Sequence, residues 1–74
     1  MTLGEFAGVI NDNISIRVIS ELDQNPELRG KILYSGDIVN LFNNNFVVFD
    51  DVYLDELYVD YVDVDDYDFT IYVC

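Results

Sequence analysis

The segment YVDYVDVDDYDFTIYVC, residues 58–74, decides how the chain is read. Its Tyr-Val-Asp rhythm would align Asp60 with Asp63 on one face of a helix but place them on opposite faces of a strand. Asp, Val and Tyr are all weak helix formers, and Val and Tyr favour strands. The segment therefore reads as a strand from Tyr58 to Val64, a connection through Asp65, Asp66, Tyr67 and Asp68, and a returning strand from Phe69. In that hairpin Val64 faces Phe69, Val62 faces Ile71 and Asp60 faces Val73. Val62, Val64, Phe69 and Ile71 then fall on the core side, and Val59, Tyr61, Asp63, Thr70 and Tyr72 on the other. Asp60 nominally points inward. Either it lies beyond the edge of the covering helix or a bulge turns it out.

Upstream, Thr2 with Glu5 matches a capping box, and Leu3, Phe6, Val9 and Ile10 follow at helical spacing, which predicts a first helix over residues 2–10. These apolar residues read as core, because a small sheet needs a cover. The stretch ISIRVIS at 14–20 reads as a first strand with Ile14, Ile16 and Val18 on one face, and Lys31–Ser35 as a second. The segment between them, with Asn25-Pro26 and Gly30, carries turn chemistry and makes the pair a hairpin with a long loop. Arg17, mid-strand, is expected on the solvent face near an acidic neighbour. In IVNLFNNN, Ile38, Leu41 and Phe42 predict a short helix ended by the asparagines. The stretch FVVFDDVYLDEL, residues 46–57, is ambiguous: Phe46 to Phe49 resembles a buried extended run, while Asp50 could cap a helical turn through Glu56. The expected fold is a single α+β domain over residues 1–74: a small antiparallel sheet of three or four strands, an N-terminal helix on one face, and a possible short second helix.

Composition narrows the class. With 74 residues the chain is near the lower limit for one apolar core without disulfides or metal. It is 51% hydrophobic, with six Tyr and five Phe, well above the apolar content of acidic disordered chains. Cys74 is the only cysteine, so no internal disulfide or thiolate cluster can form, which fits a reducing compartment. No run approaches the roughly 18 apolar residues of a membrane span. The N-terminus MTLGEFAGVI lacks the basic flank and cleavage site of a signal peptide. The expected localisation is cytoplasmic, with no membrane contact.

Charge is the strongest signal. The net value is −12, from 15 acidic and three basic residues. Residues 1–36 hold Glu5, Asp12, Glu21, Asp23 and Glu27 against Arg17, Arg29 and Lys31, whereas residues 37–74 hold ten acids and no base. A small domain is soluble with a net charge of magnitude about 2–8, so solubility does not require this asymmetry. Direct nucleic-acid binding is disfavoured, because phosphate binding is driven by Lys and Arg displacing counterions. A basic protein surface is the natural complement.

Catalytic chemistry has little to rest on. The chain has no histidine, no activated serine or cysteine motif and no glycine-rich phosphate loop. Paired carboxylates can hydrolyse glycosides, but only in a cleft that raises one pKa, and a chain this short has little room for one. Neither an enzyme nor a cofactor is expected. Asp63, Asp65, Asp66 and Asp68 lie close enough in sequence to suggest calcium, yet the EF-hand pattern fails. Counted from Asp63, its glycine position falls on Asp68 and its twelfth position, which needs Glu, falls on Cys74. Weak cation binding at the 65–68 turn is the most this supports.

Eight of the nine acids in residues 50–74 are Asp, a residue depleted in strands, so propensity does not choose them. Two unit charges about 7 Å apart repel by roughly 0.6 kcal/mol even in bulk water, and many such pairs subtract from a small stability. Alternate strand residues are spaced by about 6.6 Å, comparable to the roughly 3.4–7 Å between phosphates of a nucleic-acid strand. Interleaved Tyr53, Tyr58, Tyr61, Tyr67 and Tyr72 add rigid faces on which guanidinium groups stack, and carboxylates pair with the same arginines.

In size, acidity and build, and in the stretch DDVYLDELYVDYVDVDDYD at 50–68, the chain resembles the small phage-encoded DNA-mimic inhibitors, anti-CRISPR proteins in particular. The resemblance covers the C-terminal third and shares a strategy, not a common sequence. It implies occupation of the nucleic-acid channel of a host defence nuclease such as a CRISPR effector, and it carries no individual residue across. Together with the charge it makes the expected partner-binding residues Asp50, Asp51, Asp55, Glu56, Asp60, Tyr61, Asp63, Asp65, Asp66, Tyr67, Asp68 and Tyr72. The alternative is a small regulatory or assembly protein, antitoxin-like or virion-associated, that self-associates through its tyrosine face. A weak calcium-binding module is third. The expected state is a monomer or homodimer.

Overall fold

The computed structural model describes residues 1–10, 12–22, 26–64 and 69–74. It opens with helix α1 (Leu3–Val9), whose start is fixed by side-chain chemistry. Thr2 Oγ1 accepts from the Glu5 N–H at 3.1 Å and Glu5 Oε1 accepts from the Thr2 N–H at 3.1 Å, forming the expected capping box. Strands β1 (Ser15–Ser20) and β2 (Ile32–Asp37) make the expected antiparallel hairpin, with Leu33 as an extra, bulged residue.

Two 3₁₀ turns, Ile38–Asn40 and Phe42–Asn44, stand where a short helix is predicted. Polar asparagines offer the backbone local alternatives to a longer helix, and Asn44 Nδ2 donates to the Asn40 carbonyl at 2.8 Å. A small hairpin follows, β3 (Val47–Phe49) and β4 (Val52–Tyr53), then a 3₁₀ turn at Leu54–Glu56. Strands β5 (Val59–Val64) and β6 (Phe69–Val73) complete the described chain.

The main sheet has strand order β2-β1-β6-β5. The last strand lies centrally, antiparallel to β5 and parallel to β1. The domain is thus α+β with a small four-stranded sheet, as expected, but the sheet is mixed. Period-two alternation is the same for either strand direction, so the β6 sequence could not announce the parallel neighbour.

Leu3 and Ala7 of α1 meet Ile16 and Val18 of β1 and Ile71 and Val73 of β6 in the core, together with Leu22, Tyr34, Ile38, Leu41, Leu54 and Leu57. Leu54 is fully buried, a burial that stabilises by about 1.5–3 kcal/mol. The helix approaches the 54–56 turn closely, since a Cβ on Gly4 would stand 3.3 Å from the Asp55 Cβ and carbonyl oxygen. Val9 is exposed and Ala7 takes its place, because a short helix buries its Leu3–Ala7 stripe, with Phe6 and Ile10 packed beside it.

The β5–β6 register answers the question about Asp60. Val64 pairs with Phe69 and Val62 with Ile71, as predicted, but Tyr61 pairs with Tyr72 and Val59 with Val73. Asp60 is the extra residue of a bulge, and it is exposed. The bulge also returns Val59 to the core side, against the expectation that it faces outward. Val64, expected in the core, is 60% exposed, because the cover over the sheet does not reach this end of the edge strand. Phe46 and Val47, expected in a buried run, are exposed, while Val48, Phe49 and Val52 pack on the core.

Candidate functional site

The core side of the sheet is covered by α1 and the 38–57 segment. The opposite side carries two cross-strand rows. Ser35, Arg17, Thr70 and Asp63 lie side by side across all four strands, and Ile32, Ile19, Tyr72 and Tyr61 form the next row. Arg17 is exposed, as expected, with Asp63 two strands away, about 10 Å in backbone spacing.

At the β5 end of this face the rings of Tyr61 and Tyr72 stack, with centroids 4.3 Å apart and planes 16° apart. Directly opposed residues of an antiparallel pair bring aromatic side chains together in this way. Tyr61 is still 49% exposed, so a wide part of its ring surface meets solvent. Loss of hydration, then the Glu21 carboxylate and the Tyr72 hydroxyl, raise the Tyr61 pKa above its ordinary value. The phenol therefore stays neutral at physiological pH and can donate to the carboxylate. Asp60 at the bulge and Asp63 in the next outward position are both exposed beside it.

Glu21 is the residue of this group that sequence reasoning missed. It directly follows β1, and its N–H donates to the Val73 carbonyl at 2.8 Å, which fixes it at the end of β6. Only the parallel β1–β6 pairing brings it to the tyrosines, and no local sequence signal reports that pairing.

Asp50, Asp51, Asp55 and Glu56 belong to the other layer of the molecule. Asp50 does not cap a helical turn. It and Asp51 form the two-residue loop of the β3–β4 hairpin, both left-handed, with φ of 44° and 62°. This matches the type I′ hairpin turn, which suits strand twist and normally selects Asn-Gly or Gly-Gly. The helical turn begins later, after Tyr53, without a side-chain cap. Asp55 is half-buried against Gly4, and its N–H donates to Asn45 Oδ1 at 3.1 Å. Glu56 is exposed on the same turn.

Of the expected surface, then, Asp60, Tyr61, Asp63 and Tyr72 come together on the open face, joined by Glu21. Asp50, Asp51, Asp55 and Glu56 sit on the helical side. Asp65, Asp66, Tyr67 and Asp68, including the suggested cation-binding turn, lie outside the described residues. The carboxylates of β5 do not form one straight row: the bulge turns Asp60 out beside Tyr61, and that tyrosine separates it from Asp63.

Such an arrangement suits recognition of a guanidinium group. A stacked aromatic pair supplies a flat face, and carboxylates at its margin accept hydrogen bonds from the same cation. Among the described residues no helix is long and apolar enough to cross a membrane. No protein-family model matches the chain, and no curated protein or solved structure matches it.

Proposed function

We propose that this protein is a non-enzymatic inhibitor that occupies the basic nucleic-acid-binding site of another protein, a defence nuclease of the CRISPR type in the reading its acidity suggests. The observation that carries the proposal is the Tyr61–Tyr72 stack on the sheet face opposite the helix, framed by Asp60, Asp63 and Glu21. Arginines that grip phosphates in such a site would find carboxylates at the margin and rings on which to stack. The Asp50–Asp51 turn supports the same reading. Two adjacent carboxylates occupy positions where glycine or asparagine would fold with less strain, so local stability does not account for them.

Immobilised protein should retain, from a bacterial lysate, a basic nucleic-acid-binding protein that duplex DNA displaces. Retention should weaken as salt rises, because screening reduces charge-driven association. Asp60→Lys with Asp63→Lys should lower the affinity at least about tenfold without changing the circular dichroism spectrum. Retention that neither DNA nor the double substitution affects would overturn the proposal.

A further inference from the structure

The Tyr72 ring covers one face of the Tyr61 ring, at a centroid distance of 4.3 Å. β5 is the last strand of the sheet, so among the described residues no strand lies beyond the other face, and Tyr61 is 49% exposed. At the far end of the ring the hydroxyl is hydrogen-bonded to Glu21, whose own N–H ties it to the Val73 carbonyl at 2.8 Å. Ring and carboxylate are thus fixed from two different parts of the sheet, which leaves less side-chain freedom to be lost on binding. Asp63 projects from the same sheet face two residues along, about 6.6 Å away by strand spacing, and Asp60 is exposed on the bulge at the other side.

We infer that the outer face of Tyr61, between Asp60 and Asp63 and held by Glu21, is a seat for one arginine side chain of the partner and discriminates against lysine. The inference rests on the proposed function for the basic character of the partner, and adds which cation the surface reads. Carboxylates alone do not tell the two side chains apart, because each carries one positive charge. The ring does. A guanidinium is planar and weakly hydrated, so it lies flat on an aromatic face while N–H groups at its edge donate to carboxylates at the margin. An ammonium is compact and strongly hydrated, and gains less from the same ring. Glu21 acts on the cation through Tyr61: a phenol that donates to a carboxylate is polarised, which makes its ring face more negative. Glu21 is therefore a positioning residue, and the carboxylates that meet the guanidinium are those of Asp60 and Asp63.

Calorimetric titration of the full chain with hexa-arginine and with hexa-lysine, both end-blocked and at equal ionic strength, tests it. The peptides carry the same charge, so a difference in affinity reports the ring contact. Hexa-arginine should bind about three- to fivefold more tightly. Tyr61→Leu should erase that ratio by weakening hexa-arginine alone, and Tyr61→Phe, which keeps the ring, should retain part of it. Glu21→Ala should lower the ratio, and Glu21→Gln, whose amide oxygen still accepts from the hydroxyl, should restore most of it. Loss of charge or of folding would instead weaken both peptides together, and circular dichroism will show that each variant is folded. Equal affinities for the two peptides, or a ratio that survives Tyr61→Leu, would overturn the seat, yet leave the proposed function standing wherever DNA displaces the retained partner. A ratio that behaves as expected without such retention would overturn that function and keep the seat.

Discussion

Replacing Asp50-Asp51 by Asn-Gly removes a local strain that the hairpin carries in its native form. Both aspartates are left-handed, at φ of 44° and 62°. An L-residue in this region is disfavoured by about 1–2 kcal/mol, with Asp toward the lower end because its side chain bonds locally, and glycine incurs no such penalty. Two adjacent exposed carboxylates roughly 6 Å apart add about 0.7 kcal/mol of repulsion in water, cut further by salt. Glycine brings extra chain entropy in the unfolded state, which offsets about half of the gain at position 51. The net expectation for Asp50→Asn with Asp51→Gly is stabilisation by about 1 kcal/mol, which raises Tm by about 4–8 °C for a domain of this size. Thermal melts by circular dichroism, with urea midpoints as a check, read this directly. A lowered Tm would refute the reasoning, because it would mean that the two carboxylates make stabilising contacts that outweigh the turn geometry. The proposed function adds an opposite expectation for the same variant: tighter folding with weaker retention of the basic partner.

Two further outcomes are expected. The Tyr34 hydroxyl passes beneath Gly36 to donate to the Asp37 carbonyl at 2.5 Å, and a Cβ on Gly36, whose φ is 152°, would stand 3.1 Å from the Tyr34 hydroxyl oxygen. Gly36→Ala should therefore cost about 1–3 kcal/mol, Tyr34→Phe about 1 kcal/mol, and the pair less than their sum; strict additivity in urea melts would sink the steric account. Glu5 has its pKa lowered by the backbone and side-chain hydrogen bonds from Thr2. A lowered folded value means that the capping contribution is fully present above the unfolded pKa and is lost as pH falls through the folded one. The Tm difference between wild type and Glu5→Gln should accordingly shrink on acidification below the ordinary carboxylate range; a constant difference would show that the charge of Glu5 does not matter to the cap.

The parts of this molecule legible in its sequence are those governed by neighbours along the chain. Thr2 and Glu5 announce the helix start through a spacing of three, and β-branched alternation marks β1, β5 and β6. The Val62–Ile71 and Val64–Phe69 pairings follow from alternation, and the misplaced Asp60 pointed to its own bulge. What escaped is set by long-range return of the chain. The parallel β1–β6 ladder, and with it the approach of Glu21 to Tyr61, depends on where the 38–58 segment brings β5 back. The Asp50–Asp51 turn escapes for another reason: it lacks the glycine that usually advertises a type I′ loop, which leaves an extended run and a helical turn capped by Asp50 both open from sequence. For the candidate site, composition found the aromatic and acidic residues of β5 and β6 but could not tell that Asp50, Asp51, Asp55 and Glu56 belong to the other layer.

The central position of β6 bears on how the protein is made. The ribosome releases β1 and β2 early, yet β1 meets its second neighbour, and β5 its neighbour in the main sheet, once residues 69–73 have emerged. Until then the nascent chain holds two separate two-stranded hairpins and an acidic strand without its sheet neighbour, none of which is stable by itself in water. Folding must wait for the end of this segment and then proceed in one cooperative step, with contacts that span most of the length. During that interval the dense negative charge of β5 would keep nascent chains on neighbouring ribosomes from pairing with one another.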